Sequence, residues 1–272
     1  MRIKNQISDK LNSESDIHVS SEEGPQENTL EKNNSKFIRI ASFDVRDTTS
    51  QKLCDDILAA ISFKSKIAVF FANTNFIVKC RFIVDDKLTL PLVLVNDGIG
   101  MDIAALLFHG RRFSENLNGT DFLPFFFQKA PRPLKVFMLG GAPDVLEKAV
   151  RHVTENLKQV VVGSSNGYDD VKNPLSLKER INQCCPDVVL VAMGNPIQEE
   201  WIVRHGLETN AIAFIGVGAL FDFWSGDKAR APALIRRLRL EWLYRLCLEP
   251  RRLMRRYTFD IVVFLKYCFK YR

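Results

Sequence analysis

Six short apolar runs set the pattern of this chain: "KIAVFF" (66–71), "LVLV" (92–95), "KVFML" (135–139), "QVVVG" (159–163), "DVVLVAM" (187–193) and "AIAFIG" (211–216). They are rich in β-branched and aromatic residues, and none alternates with polar residues as a half-exposed strand would. Amphipathic stretches lie between them. Ser50–Ser62 places Leu53, Ile57, Leu58 and Ile61 on one helical face, and Asp144–Lys158 does the same with Val145, Leu146, Ala149, Val153 and Leu157. Strands that are apolar on both faces need helices on both faces. The expected fold class is therefore α/β, a largely parallel sheet flanked by helices.

The pattern starts near Phe37. Residues 1–36 are rich in Ser, Asn and Glu and are expected to be a disordered or loosely attached tail, with a core over 37–227. From Lys228 to Arg272 thirteen Lys/Arg stand against three acids, a local net of +10 in a chain whose total is +6. A basic block on a mildly acidic body points to a localised anionic partner: nucleic acid, anionic lipid or a diphosphate. No run reaches the roughly eighteen apolar residues of a membrane span, and the N-terminus lacks the apolar run of a signal peptide, so a cytosolic setting is expected. The six cysteines form no CxxC and no zinc spacing, and are expected to be buried free thiols.

In a parallel α/β sheet, ligands bind beyond the C-terminal ends of the strands. The residues there read "ANTN" (72–75), "NDGIG" (96–100), "GGAP" (140–143), "GSSNGY" (163–168), "GNPIQEE" (194–200) and "GVGALFDFWSG" (216–226). Five of the six carry glycine, which lets backbone approach a ligand, and several open a helix whose free N–H groups suit phosphate. A dinucleotide oxidoreductase is disfavoured. Its G-x-G-x-x-G fingerprint fails at Ile103 after Gly98 and Gly100, and at Phe221 after Gly216 and Gly218. No Asp-x-Asp pair occurs and the four histidines are scattered, so no metal and no resident cofactor are expected.

Four segments then carry a resemblance: "NDGIGMDIAALLFHGRRFSENLNGTDF" (96–122), "VFMLGGAPDVLEKA" (136–149), "VVLVAMGNPIQEEWI" (188–202) and "GVGALFDFWSGDKARAPALIRRLRLEWLYRLCLEPRRLMRRY" (216–257). Together they resemble the WecG/TagA/CpsF glycosyltransferases. The resemblance implies a Rossmann-like core, a C-terminal helical appendage over 228–272 that helps complete the active site, and inverting transfer from a UDP-sugar to a polyprenyl-diphosphate-linked sugar at the cytosolic membrane face. Within the family, "VFFANTNFIVKC" looks most like the branch of xanthan-type exopolysaccharide assembly, which adds glucose β-1,4 from UDP-glucose. An N-acetylmannosaminyl-type transferase for another surface polymer is the alternative. A basic nucleic-acid-binding protein is the rival of another class; it would leave the glycine loops idle, so no nucleic acid is expected. A homo-oligomer stays open.

The resemblance places Asp97 at the family's catalytic Asp, a base that takes the proton of the attacking sugar hydroxyl. Asn73 falls at a family Asn usually flanked by Thr and an acid, where this chain has Phe71 and Asn75. Asn73 either belongs to the site or caps the next helix. Gly140 and Gly141 form a strand–turn–helix entry suited to a nucleotide. Gln198 and Glu199 either bond a base or ribose or act as a capping pair, and Asp222 is a candidate for ribose hydroxyls. Arg245, Arg252 and Arg255 match the appendage arginines, whose planar forks would meet phosphate oxygens in place of a metal. Leu253, Tyr257, Ile261, Leu265 and Cys268 form an apolar stripe expected to lie in the membrane interface, with Arg236, Arg237, Arg239, Arg251 and Arg256 facing anionic lipid.

Overall fold

A computed structural model describes residues 36–83, 90–167, 173–232, 234–235 and 240–271, the side chains of Arg252, Arg256 and Tyr257 excepted. Apart from Lys36, the expected tail lies outside the described residues, as do Arg236, Arg237 and Arg239. Among the described residues eight strands form one sheet: β1 (Lys36–Ile40), β2 (Phe43–Asp47), β3 (Ile67–Ala72), β4 (Leu92–Asn96), β5 (Lys135–Gly140), β6 (Val160–Ser165), β7 (Val188–Ala192) and β8 (Ala213–Gly216). Their order is β1-β2-β4-β3-β8-β7-β5-β6. β1 pairs with β2 antiparallel, and every other pairing is parallel. The α/β class and the six strands read from the apolar runs are those observed. The β1–β2 hairpin is an addition at one edge.

The helices are α1 (Ser50–Phe63), α2 (Thr74–Lys79), α3 (Ile99–His109), α4 (Gly119–Lys129), α5 (Pro143–Glu155), α6 (Pro174–Cys184), α7 (Ile197–His205), α8 (Leu220–Trp224), α9 (Glu241–Leu248), α10 (Pro250–Tyr257) and α11 (Phe259–Lys270). Two apolar layers hold them. One gathers buried residues of α1, α4, α5 and α8 against Ile67, Val69 and Phe71 of β3. The other gathers α2, α3, α6, α7 and α11 against Ala68, Phe70 and Ala72 of the same strand. All six residues of β3 are buried, as continuous apolarity requires of a central parallel strand. Fully burying one such large side chain contributes about 2–3 kcal/mol.

The last two helices correct one expectation. Leu253 and Cys268 are buried, and Leu265 packs against the core instead of lying in a membrane interface. Ile261 is half-buried, and the Tyr257 side chain lies outside the described residues. The stripe is apolar because α11 docks on α2, with Phe264 and Cys268 inside the same cluster as Phe76 and Ile77. The hydroxyls of Ser42 and Tyr267 share a 2.9 Å hydrogen bond, and Phe108 meets Phe269 edge-on at 4.9 Å. The opposite face of α11 exposes Phe259, Val262, Lys266 and Phe269, a 3-4-3 spacing on one side of the helix. The cysteines are free as expected, but Cys185 and Cys247 are exposed rather than buried.

Truncating Phe264, which is 2% exposed, tests this docking. Phe264→Ala is expected to lower the unfolding free energy by about 3–5 kcal/mol in urea titration. A change below about 1 kcal/mol would show that α11 adds nothing to the core.

Candidate active site

Strand order makes neighbours of the loops that the sequence singled out. The segments after β4, β3, β8, β7 and β5 follow one another along a single edge of the sheet. Three helices of nine or more residues open on that edge without a side-chain cap, α3 behind Gly98, α5 behind Ala142 and α7 behind Pro196, and so does the five-residue α8 behind Ala219. By contrast α1, α2, α4 and α6 are capped by Thr49, Asn73, Asn118 and Asn173. Uncapped first turns present N–H groups and the positive end of the helix dipole, a combination suited to an anion.

Asp97 lies at one end of this row, half-buried, just after β4. Its backbone N–H donates to the Ala72 carbonyl at 2.7 Å, which continues the β3–β4 ladder by one residue. Asn73 caps the next helix, one of the two roles weighed for it, and also reaches Asp97. Its Oδ1 accepts from the N–H groups of Asn75 and Phe76, each at 3.1 Å, and so caps α2. Because that oxygen is committed to the cap, the amide NH2 points the other way and donates to Asp97 Oδ2 at 3.2 Å. On the other side, Gly98 N–H donates to Asn116 Oδ1 at 2.6 Å. Gly98 has φ +86°, and apart from its two chain neighbours no residue comes within 4 Å of where a Cβ would sit. That open space lies one residue along the chain from Asp97.

Gly140 has a different explanation. At φ +124°, a Cβ there would lie 2.3 Å from the Ala192 carbonyl oxygen. The glycine is demanded by the adjoining β7 backbone, whether or not a nucleotide sits beyond it; Gly141, at φ +74°, completes the turn into α5.

Gln198 and Glu199 are both buried, and their bonds are made inside the protein. Gln198 Oε1 accepts from Gly194 N–H at 3.2 Å and Gly218 N–H at 3.0 Å, while its Nε2 donates to Glu199 Oε1 at 2.7 Å. The pair thus bridges the loops after β7 and β8, a function neither of the two roles weighed for it included. Asp222 Oδ2 accepts from Lys228 Nζ at 3.0 Å.

Arg245 is brought against the same edge. Its guanidinium lies 4.7 Å from the Phe223 ring centroid, next to Asp222, and Nη2 donates to Glu241 Oε1 at 2.7 Å. Arg255 is exposed, with its guanidinium 5.9 Å from the Phe259 ring. The Arg252 side chain lies outside the described residues.

The sequence model of the glycosyl transferase WecG/TagA/CpsF family matches residues 38–272. The chain belongs to that family. It is a glycosyltransferase, as the motifs implied. An N-acetylglucosaminyldiphosphoundecaprenol N-acetyl-beta-D-mannosaminyltransferase of Staphylococcus aureus is 26% identical over 240 residues, covering 86% of this chain and 93% of the relative. A protein of the same name from Bacillus spizizenii is 35% identical over 163 residues, 58% of this chain and 62% of the relative. Both are named for N-acetylmannosaminyl transfer, so the narrower expectation of a xanthan-type glucosyltransferase branch draws no support from them.

Asn116 and Asn195 are polar partners at this candidate site that motif reading missed. Asn195 Nδ2 donates to Glu199 Oε1 at 2.6 Å, and Asn195 Oδ1 accepts from Asn75 Nδ2 at 3.3 Å. Both asparagines sit in the motifs given above; the Asn75 partner of Asn195 lies 120 positions away, and nothing local signals that contact.

Burial raises the Glu199 carboxyl above the ordinary glutamate range, and donors from Gln198, Asn195 and Cys80 offset only part of that. The folded chain therefore holds this proton to higher pH than the unfolded chain does. The stability it contributes is complete below the ordinary glutamate pKa and is lost as pH rises through the raised value. Glu199→Gln cannot ionise. Thermal unfolding followed from pH 4 to 8 is expected to show a smaller decline for this variant than for the wild type; parallel curves would contradict the shift.

Proposed function

We propose that the chain moves N-acetylmannosamine from UDP to an N-acetylglucosaminyl-diphosphoprenol, with inversion and without a divalent metal. The observation that carries the reading is the Asp97 carboxylate, held by Asn73 on an edge where α3, α5, α7 and α8 begin without side-chain caps. The names of the relatives supply the sugar and the acceptor. Asp97 takes the proton of the acceptor hydroxyl as that oxygen bonds to the anomeric carbon. The bond from that carbon to the UDP oxygen breaks on the opposite side, and the leaving diphosphate carries away the electron pair. Its growing charge is met by helix N-termini and by Arg245. Gly98 leaves room for the acceptor beside the base.

A glucosyl donor is the second reading, and a local departure favours it. Where the family usually has Thr, Phe71 is turned into the core, its ring 5.8 Å from that of Phe122. Asn75, in place of the usual acid, bonds to Asn195. The loop beside the base therefore differs from the common family pattern at two flanking positions.

The setting we propose is the cytosolic face of a membrane, with the protein bound peripherally. No helix among the described residues is long and apolar enough to cross a bilayer. Support comes from exposed Phe259, Val262 and Phe269 beside Lys266 and Lys270, and from exposed Ile103, Leu106 and Leu107 on α3, the helix that follows Asp97. Apolar and cationic groups together suit an anionic interface.

Transfer assays with UDP-N-acetylmannosamine and UDP-glucose, each against N-acetylglucosaminyl- and glucosyl-diphosphoprenol, decide between the sugars. Product is expected with EDTA present; product only after magnesium or manganese is restored would remove the metal-free mechanism. Asp97→Asn is expected to lower kcat by about 100-fold or more while UDP affinity in calorimetry changes by less than about threefold. Turnover equal to wild type would take Asp97 out of the base role.

A further inference from the structure

Glu199 is 0% exposed, and no salt bridge among the described residues reaches it. Buried Asp187, by contrast, has a bidentate partner in Arg132, with bonds of 2.8 and 2.9 Å. A carboxyl buried without a cation costs stability. What it does in return is visible in its contacts. Oε1 accepts from two primary amides at once, Asn195 at 2.6 Å and Gln198 at 2.7 Å.

An oxygen that only accepts dictates how both amides are turned. Each must present its NH2 to Glu199 and therefore its carbonyl oxygen elsewhere. Gln198 then offers its oxygen to Gly194 and Gly218, and Asn195 offers its own to Asn75. Flipping either amide would set its oxygen against the carboxyl oxygen and its NH2 against donors. One carboxyl thereby fixes the mutual position of three strand-end loops, those after β3, β7 and β8. The β3 loop is the one that matters for chemistry. Asn75 N–H donates to Asn73 Oδ1, and Asn73 holds Asp97.

We infer that Glu199 is a positioning residue: through Asn195 and Asn75 it holds the β3–α2 turn so that Asn73 presents Asp97 to the acceptor. The catalytic part of this inference rests on Asp97 being the base; the mechanical part does not. The role needs an acceptor oxygen at this position and not a charge, so glutamine should fill it in part and leucine should not.

Two readouts test it separately. Amide hydrogen exchange on the full chain, with no substrate, reports the mechanical part. Glu199→Leu is expected to speed exchange at residues 73–77 about tenfold or more relative to wild type, while Glu199→Gln stays within about threefold; equal protection in the leucine variant overturns the proposal. Kinetics with the donor and acceptor that turn over in the panel above report the catalytic part. Per folded molecule, Glu199→Leu and Asn75→Ala are each expected to lower kcat about 100-fold, since a displacement near 1 Å costs that much. Donor KM should stay within about threefold, and Glu199→Gln should recover kcat to within about fivefold of wild type.

Because the two residues act along one chain, the double variant should be no slower than the worse single one. Losses that multiply, or an Asn75→Ala kcat equal to wild type, overturn the relay, and the second result applies even where Glu199→Leu does not fold. If Asp97→Asn turns over normally while the exchange result holds, the base assignment fails and the brace stands.

Discussion

The central strands of this protein are buried on both faces, and that constraint decides where its chemistry sits. Side chains of β3, β7 and β8 pack into one helix layer or the other, so neither face has room for polar groups. Parallel pairing brings the C-terminal ends of β3, β4, β5, β7 and β8 to one edge, and each following helix begins there. Glycines, asparagines and carboxylates crowd that edge because the packing excludes them elsewhere. The site is the polar remainder of a sheet covered on both sides.

The same constraint explains what could be read from the sequence. A strand buried on both faces is a nearly pure apolar run, so six strands and the loops behind them were visible as words in the text. The hairpin was not. Its turn, Ala41–Ser42, carries φ +55° on an alanine and lacks the glycine or asparagine that usually marks such a bend. Periodicity also found the stripe along the last two helices without saying what covers it. Leu253 and Cys268 face the core, where an interface had been expected, because a periodic apolar face fits any apolar neighbour equally well.

Individual site residues show a sharper limit. Asp97 and Asn73 lie 24 positions apart and meet because β3 and β4 pair in register, which the motif's place at strand ends made legible. The Asn75–Asn195 contact spans 120 positions and joins loops on two non-adjacent strands. Nothing in either local sequence signals it. Gly140 shows a limit of another kind. Its motif invited a ligand, yet the Ala192 carbonyl already requires the glycine. A motif names residues that matter, and their neighbours in space decide in what way.

The charge available at the edge bears on the metal-free reading. Each uncapped helix start carries the equivalent of about half a positive charge. Three of them, with one guanidinium, supply roughly the charge of a divalent cation, and in fixed directions. Arg245 is suited to join them because it is already oriented. Its fork bonds to Glu241, its flat face lies over Phe223, and the β8 loop beside it leads from the centre of the sheet. Part of its charge is matched by Glu241, which lowers its pull on any distant anion. Its remaining donors act over hydrogen-bond range, where geometry counts for more than net charge. A leaving diphosphate gains its extra charge at defined oxygens, and donors fixed in advance stabilise that change more than they stabilise the donor sugar at rest.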